Sequence, residues 1–183
     1  MNDHKLPDFL SDEPPVETGM VFKPEQGRRG EWVAWASALA LAIVIALQTQ
    51  LAGEASAVVI GFFIFVCLAA ILITFANWME RSTTITITAA GVHYASPLRK
   101  TELHWSQIEE IWLAPSRSSW RISVSGEMGH FNFQTLLTLE SVAGSARMGI
   151  AGGKQLAAHI IRESGMVHPE YQDGIWIWKR NLE

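Results

Sequence analysis

Six histidines, His4, His93, His104, His130, His159 and His168, are the side chains of this sequence best suited to acid–base or metal chemistry. They are scattered, and no two stand at a ligand spacing beside a carboxylate, the arrangement a metal centre needs. His104 and His130 alternate with apolar residues, so both are expected on solvent-facing sides of strands. Glu109 and Glu110 are adjacent; in an extended segment such neighbours project to opposite faces, which makes them a poor general acid/base pair. Ser118, Ser119 and Ser145 lack a nucleophile-elbow sequence around them. The run Gly149-x-x-Gly152-Gly153-Lys154 resembles a phosphate loop superficially, but it lacks the full spacing and the Ser/Thr after Lys. It reads instead as a flexible lead-in to a helix. The single cysteine, Cys67, excludes an intrachain disulfide and a paired-Cys metal site. These patterns predict no catalytic residue, no cofactor and no metal.

The elements around these residues say more. Of 183 residues, 49% are hydrophobic and 17% charged, where about a quarter charged is usual for soluble domains. The charges avoid one region. Trp32 to Gly53 has no charged residue, Glu54 interrupts, and Ala55 to Met79 is again uncharged. A helix of about 20 residues spans a hydrocarbon core of about 30 Å, so residues 32–79 are expected to form a transmembrane helical hairpin. The first run has its strongest core from Trp32 to Leu47 and is the weaker span. Trp32, Trp35 and Trp78 are expected at one membrane interface. Arg28 and Arg29 precede the first helix and Arg81 follows the second, while the turn between holds only Glu54. The positive-inside tendency then puts both termini in the cytoplasm, in a two-pass cell-membrane protein. No charged group lies within either span, which argues against an ion or proton path through them. The small residues of the first helix, among them Ala34, Ala38 and Ala42, permit close packing within the hairpin or between copies.

Residues 1–31 hold seven acids, four bases and four of the seven prolines, and are expected to be an extended or disordered leader. Its segment Gly19-Met20-Val21-Phe22 is a candidate short strand docking on the C-terminal part. From residue 80 the pattern alternates. Ile85 and Ile87, Val92 and Tyr94, Thr101, Leu103 and Trp105, Ile108 to Leu113, Trp120, Ile122 and Val124, and Phe131 and Phe133 predict successive strands with turns between them. Leu136–Ile150 is expected to be an irregular link. Lys154–Ser164 predicts an amphipathic helix with Leu156, Ala157, Ile160 and Ile161 on one face and Gly165 as its stop. The tail, 166–183, carries Trp176 and Trp178 on one side if extended. Two readings of it stay open: an edge strand of the domain, or an interfacial segment touching lipid. Residues 80–183 carry ten acids and ten bases, which offers no electrostatic footprint for nucleic acid.

The stretch TITITAAGVHYASPLRKTELHWSQIEEI, placed directly after paired apolar helices, resembles the bacterial pleckstrin-homology-like membrane proteins, including the YcxB-like group. The likeness rests on the Thr/Ile strand, the Gly91 turn with Tyr94 after it, and Trp105-Ser106-x-Ile108-x-x-Ile111, and covers about residues 57–165. It implies an α+β chain: a transmembrane hairpin followed by a bent antiparallel sandwich or barrel (80–165) capped by a C-terminal helix, in a bacterial inner membrane. A fold of this kind says little about activity. The expectation is a non-enzymatic, membrane-anchored module that docks a protein partner or another copy, with Trp176 and Trp178 as candidate contacts. The alternatives are an anionic-lipid sensor using Arg99 and Lys100, and an enzyme of unknown type.

Overall fold

The computed structural model describes residues 6–116, 118–141 and 144–180, and the chain divides into two units. Residues 27–80 form one; the described parts of 1–26 and 81–183 form the other.

The first unit is two helices, α2 (Arg29–Ala52) and α3 (Ala57–Arg81); α1 lies earlier in the chain. Both are long and apolar enough to cross a membrane, and only 6% of each apolar window is buried. A core helix of a soluble domain would be mostly covered. α2 continues through Gln48 and Gln50 and ends at Gly53, whose φ of +81° is the left-handed conformation a helix stop favours; its N–H donates to Thr49 O. The partly or fully buried positions Glu31, Ala34, Ala38, Leu41, Ile45 and Gln48 recur at alternating steps of three and four residues, the period of a left-handed helix seam. Among the described residues of this unit, Ala38 and Ala70 are the two that are buried. The hydroxyls of Ser37, Thr49 and Thr74 bond to carbonyls one turn back, at Val33, Ile45 and Ala70. Polar groups on an apolar helix are thereby satisfied locally.

The second unit is β-rich, and the whole chain is α+β. Its elements in chain order are α1 (Phe9–Asp12), β1 (Val21–Phe22) and β2 (Pro24–Gln26). After α3 come β3 (Thr84–Ile87), β4 (Gly91–Ala95), β5 (Lys100–His104), β6 (Ile108–Ser116), β7 (Ser119–Gly126) and β8 (Gly129–Gln134). They are followed by β9 (Leu137–Ser141), β10 (Gly144–Ile150), α4 (Gly153–Glu163), β11 (Pro169–Gln172) and β12 (Ile175–Lys179). Three antiparallel sheets result, in the orders β1-β3-β4-β5, β2-β10-β9 and β11-β12-β6-β7-β8. The alternating residues set one core: Ile85, Ile87, Val92, Leu103, Ile111, Leu113, Ile122 and Val124 are all fully buried. α4 adds Leu156, Ala157 and Ile160 to that core. Gly165 (φ +70°) ends the helix, as its position in the sequence suggests.

Four expectations are corrected. The leader, over residues 6–26, is folded: Val16 and Phe22 enter the core, Phe9 and Leu10 pack against it, and Gln155 Nε2 donates to Pro14 O. Average composition hides four apolar side chains that reach the core. The docking strand itself is where the sequence puts it, Val21 opposite Thr86 and Phe22 opposite Ile85. Leu136–Ile150 contains β9 and β10 in place of an irregular link, because β2 from the leader supplies the partner that makes β10 a central strand. Trp105 leaves the strand register and begins a single 3-10 turn, Trp105–Gln107. The tail, for which an edge strand is one of the two open readings, packs on the domain but not at the edge: β12 lies inside the five-stranded sheet, with Trp176 opposite Leu113 and Trp178 opposite Ile111.

Candidate functional site

Trp176 and Trp178 are 8% and 2% exposed. That removes them as partner contacts, because the face they share in an extended tail is the core face of the sheet. The residue after the strand explains how the tail is held. Arg180 donates through Nε to Ile108 O and through Nη2 to Trp105 O and Ser164 O, each at 2.8 Å, and its own N–H donates to Glu109 O. One guanidinium thus ties together the 3-10 turn, the start of β6 and the end of α4, where a cation also complements the helix carbonyls.

The expected interface tryptophans are uncovered: Trp32 is 74% exposed, Trp35 46% and Trp78 52%. Trp35 Nε1 donates to Thr74 Oγ1 at 3.0 Å, and Trp78 lies against Phe75. Arg28 immediately precedes α2 and Arg81 closes α3. Arg29 is the first residue of α2, and its side chain lies outside the described residues.

Arg99 and Lys100 are both exposed. They sit at the β4–β5 turn, where Ser96 and Arg99 exchange backbone hydrogen bonds across Pro97 and Leu98. The β7–β8 turn lies beside it, because Gly129 has no Cβ to collide with Thr101 and Arg99. Arg99 Nε donates to Thr101 Oγ1 at 3.1 Å, and its Nη1 reaches His130 Nε2 at 3.5 Å. The fold therefore joins Arg99 to His130, a neighbour that sequence spacing does not reveal. Leu98 and Met128, at the tips of the two turns, are 75% and 71% exposed.

A second surface is the outer face of the five-stranded sheet. There Trp112, 44% exposed, stands opposite Ile177 on one side and Ser123 on the other. Lys179 Nζ pairs with Glu110 Oε1 at 3.8 Å on the same face. No protein-family model, curated protein or solved structure matches this chain.

His159 is the residue that pattern reading passed over. It lies on α4 at three residues from Leu156, on the apolar face; it is buried and meets the Trp105 ring edge-on at a centroid distance of 5.7 Å. Its Nδ1 is buried without a hydrogen-bond partner. Burial lowers its pKa from 6.5, with Glu163 opposing that shift and Arg162 reinforcing it. The Gly152-Gly153-Lys154 run opens α4. Gly152 O accepts the Leu156 N–H, and Lys154 Nζ lies over the Phe9 ring at 5.9 Å. A cleft of about 190 Å³ beside it is lined by Glu13, Leu136 and Gln155 among others. Among the described residues, no three His, Cys, Asp or Glu side chains gather as metal ligands.

Proposed function

We infer that this chain is a membrane-anchored, non-enzymatic interaction module. The observation that carries the reading is the pair of apolar helices, each with only 6% of its apolar window buried among the described residues. Lipid is the solvent in which such surfaces are stable. In this reading α2 and α3 are a two-pass hairpin with both ends cytoplasmic, favoured by Arg28 and Arg81 at the flanks against the lone Glu54 in the turn. The β-rich unit then resembles a pleckstrin-homology-like domain: two three-stranded meanders, β3-β4-β5 and β6-β7-β8, followed by a closing helix.

The domain docks a protein partner or a second copy through the outer face of the five-stranded sheet. Trp112 supplies an aromatic anchor, and Arg121 and the Glu110–Lys179 pair supply a polar rim, the composition that interface centres and edges favour. A photo-crosslinking residue at Trp112, in the full chain in native membranes, should give a discrete adduct. Recovery only as an uncrosslinked monomer would sink the docking. Release of the chain from membranes by alkaline carbonate would sink the anchoring.

A further inference from the structure

The leader and the body of the β-rich unit are separate pieces of chain. Residues 6–26 belong to that unit, yet they connect to the body, 81–183, only through residues 27–80. Without the leader the body is incomplete. β3 loses β1 and β10 loses β2, so both become open edges, the kind of edge that accepts an added strand. The core also loses Val16 and Phe22.

The start of α4 is shaped to the leader. At Gly152 a Cβ would stand 3.2 Å from Phe22 Cε1, so the glycine leaves room for that ring. Lys154 Nζ lies over the Phe9 ring, which also meets the Trp120 ring at a centroid distance of 5.9 Å. Gln155 Nε2 donates to Pro14 O at 3.3 Å. The run that imitates a phosphate loop in the sequence thus receives a peptide segment. Its grip on that segment is short. β1 pairs through two residues and β2 through three. Gly19 N–H donates to Ile87 O, Ile87 N–H donates to Met20 O, and the Arg147–Glu25 pair at 3.7 Å is on the surface. Gly27 follows, exposed, with open space where a Cβ would be.

We propose that this acceptor, built from β3, β10 and the start of α4, takes the leader of a second copy, so that two chains complete each other's β-rich units. The proposal deepens the docking reading above by naming a second copy as the partner, and Trp112 takes no part in it. A leader from either chain makes the same contacts with the same body, so exchange sacrifices no interaction and is decided by the connection alone. That connection is long, and the advantage of a chain's own leader falls as the connecting loop lengthens. Copies confined to one membrane meet at raised effective concentration, which favours the exchange.

The test uses the full chain with Cys67→Ala, expressed as two differently tagged forms in one membrane. One form carries Val21→Cys and the other Thr86→Cys. These residues are register partners across β1 and β3, at a separation a disulfide spans. Mild oxidation should yield a disulfide-linked dimer carrying both tags. Moving the second cysteine to Glu102 should abolish that dimer. Glu102 is exposed and lies two strands beyond Thr86, through His93, so about 14 Å separates it from Val21, too far for the bond. An equal yield from Glu102→Cys would mean random collision and overturns the exchange. An intrachain disulfide when Val21→Cys and Thr86→Cys share one chain, with no mixed dimer from the split forms, also overturns it. No disulfide in either arrangement overturns the acceptor itself. A crosslinked adduct at Trp112 without a mixed disulfide sinks the exchange and leaves the docking reading standing.

Discussion

Trp32 and Trp178 are the same residue type in two regions that treat it oppositely. Trp32, in the helical unit, is 74% exposed; Trp178, in the β-rich unit, is 2% exposed. Both regions are rich in apolar side chains. They differ in whether the chain itself supplies the cover. In the β-rich unit, each sheet's inner face meets α4, another sheet or the leader, so apolar residues are removed from water by folding alone. In α2 and α3 the seam consumes one narrow stripe, and Leu39, Phe65, Leu72 and Phe75 are left outside it. Apolar content alone therefore does not report a core. The period with which apolar residues recur separates the two: alternation after Arg81, continuity before it.

The largest effect should come from Trp178→Ala, which empties a position packed against β6. A loss of about 3–5 kcal/mol is expected for truncating a buried Trp, read from denaturant unfolding of the full chain in mild detergent by near-UV circular dichroism. Trp32→Ala should shift the same transition by less than about 0.5 kcal/mol, as for an exposed site. A costly Trp32→Ala would break the comparison, because α2 would then be packed in a way its exposure denies.

Arg180→Met comes next. It leaves the carbonyls of Trp105, Ile108 and Ser164 without their shared cationic donor, and a loss of about 2–3 kcal/mol is expected for removing charged hydrogen bonds from partly buried partners. Arg180→Lys should recover only part of it, since an ammonium cannot span three carbonyls as a planar guanidinium does. Full recovery by Lys would reduce the clamp to a charge effect at the end of α4.

Much of this unit is readable from residue order. The strands from Thr84 to Gln134 and the helix after Gly152 are local: each follows from alternation, a turn residue or a helical face. What was hidden is long-range. β10 looks irregular because one of its two partners, Pro24–Gln26, lies more than a hundred residues earlier in the chain. Trp176 and Trp178 were legible as a one-sided pair, but no local rule says whether that side meets solvent, lipid or a core. The same holds for the β4–β5 turn: Arg99 is visible in the sequence, while His130 joins it only through sheet packing. His159 had a signal, its place on the face of Leu156 and Ile160, which outweighed its polarity.

His159 also separates the units by pH. Its folded pKa lies below the unfolded value of 6.5, so the unfolded chain binds the proton more readily. Stability is therefore intact above pH 6.5 and declines as pH falls below it, until the buried ring is itself protonated. Thermal unfolding of the β-rich unit should show that decline, and His159→Leu should flatten it. α2 and α3, with no histidine between Arg29 and Arg81, should keep their helicity over the same range. A pH slope that survives His159→Leu unchanged would place its origin elsewhere.

The smallest effect is expected inside the hairpin, at the hydrogen bond from Trp35 Nε1 to Thr74 Oγ1. Thr74 already donates its hydroxyl to Ala70 O, so it is oriented to accept from the indole. Interhelical hydrogen bonds of this kind in membrane proteins average about 0.6 kcal/mol, because the separated helices find other partners. A double-mutant cycle of Trp35→Phe and Thr74→Val, followed by helix loss on titration with a denaturing detergent, should return a coupling near that size. A coupling of several kcal/mol would mean that the bond is sheltered as a soluble core shelters one. The contrast between a unit that covers its own apolar surface and a hairpin that depends on its surroundings would then lose its second member.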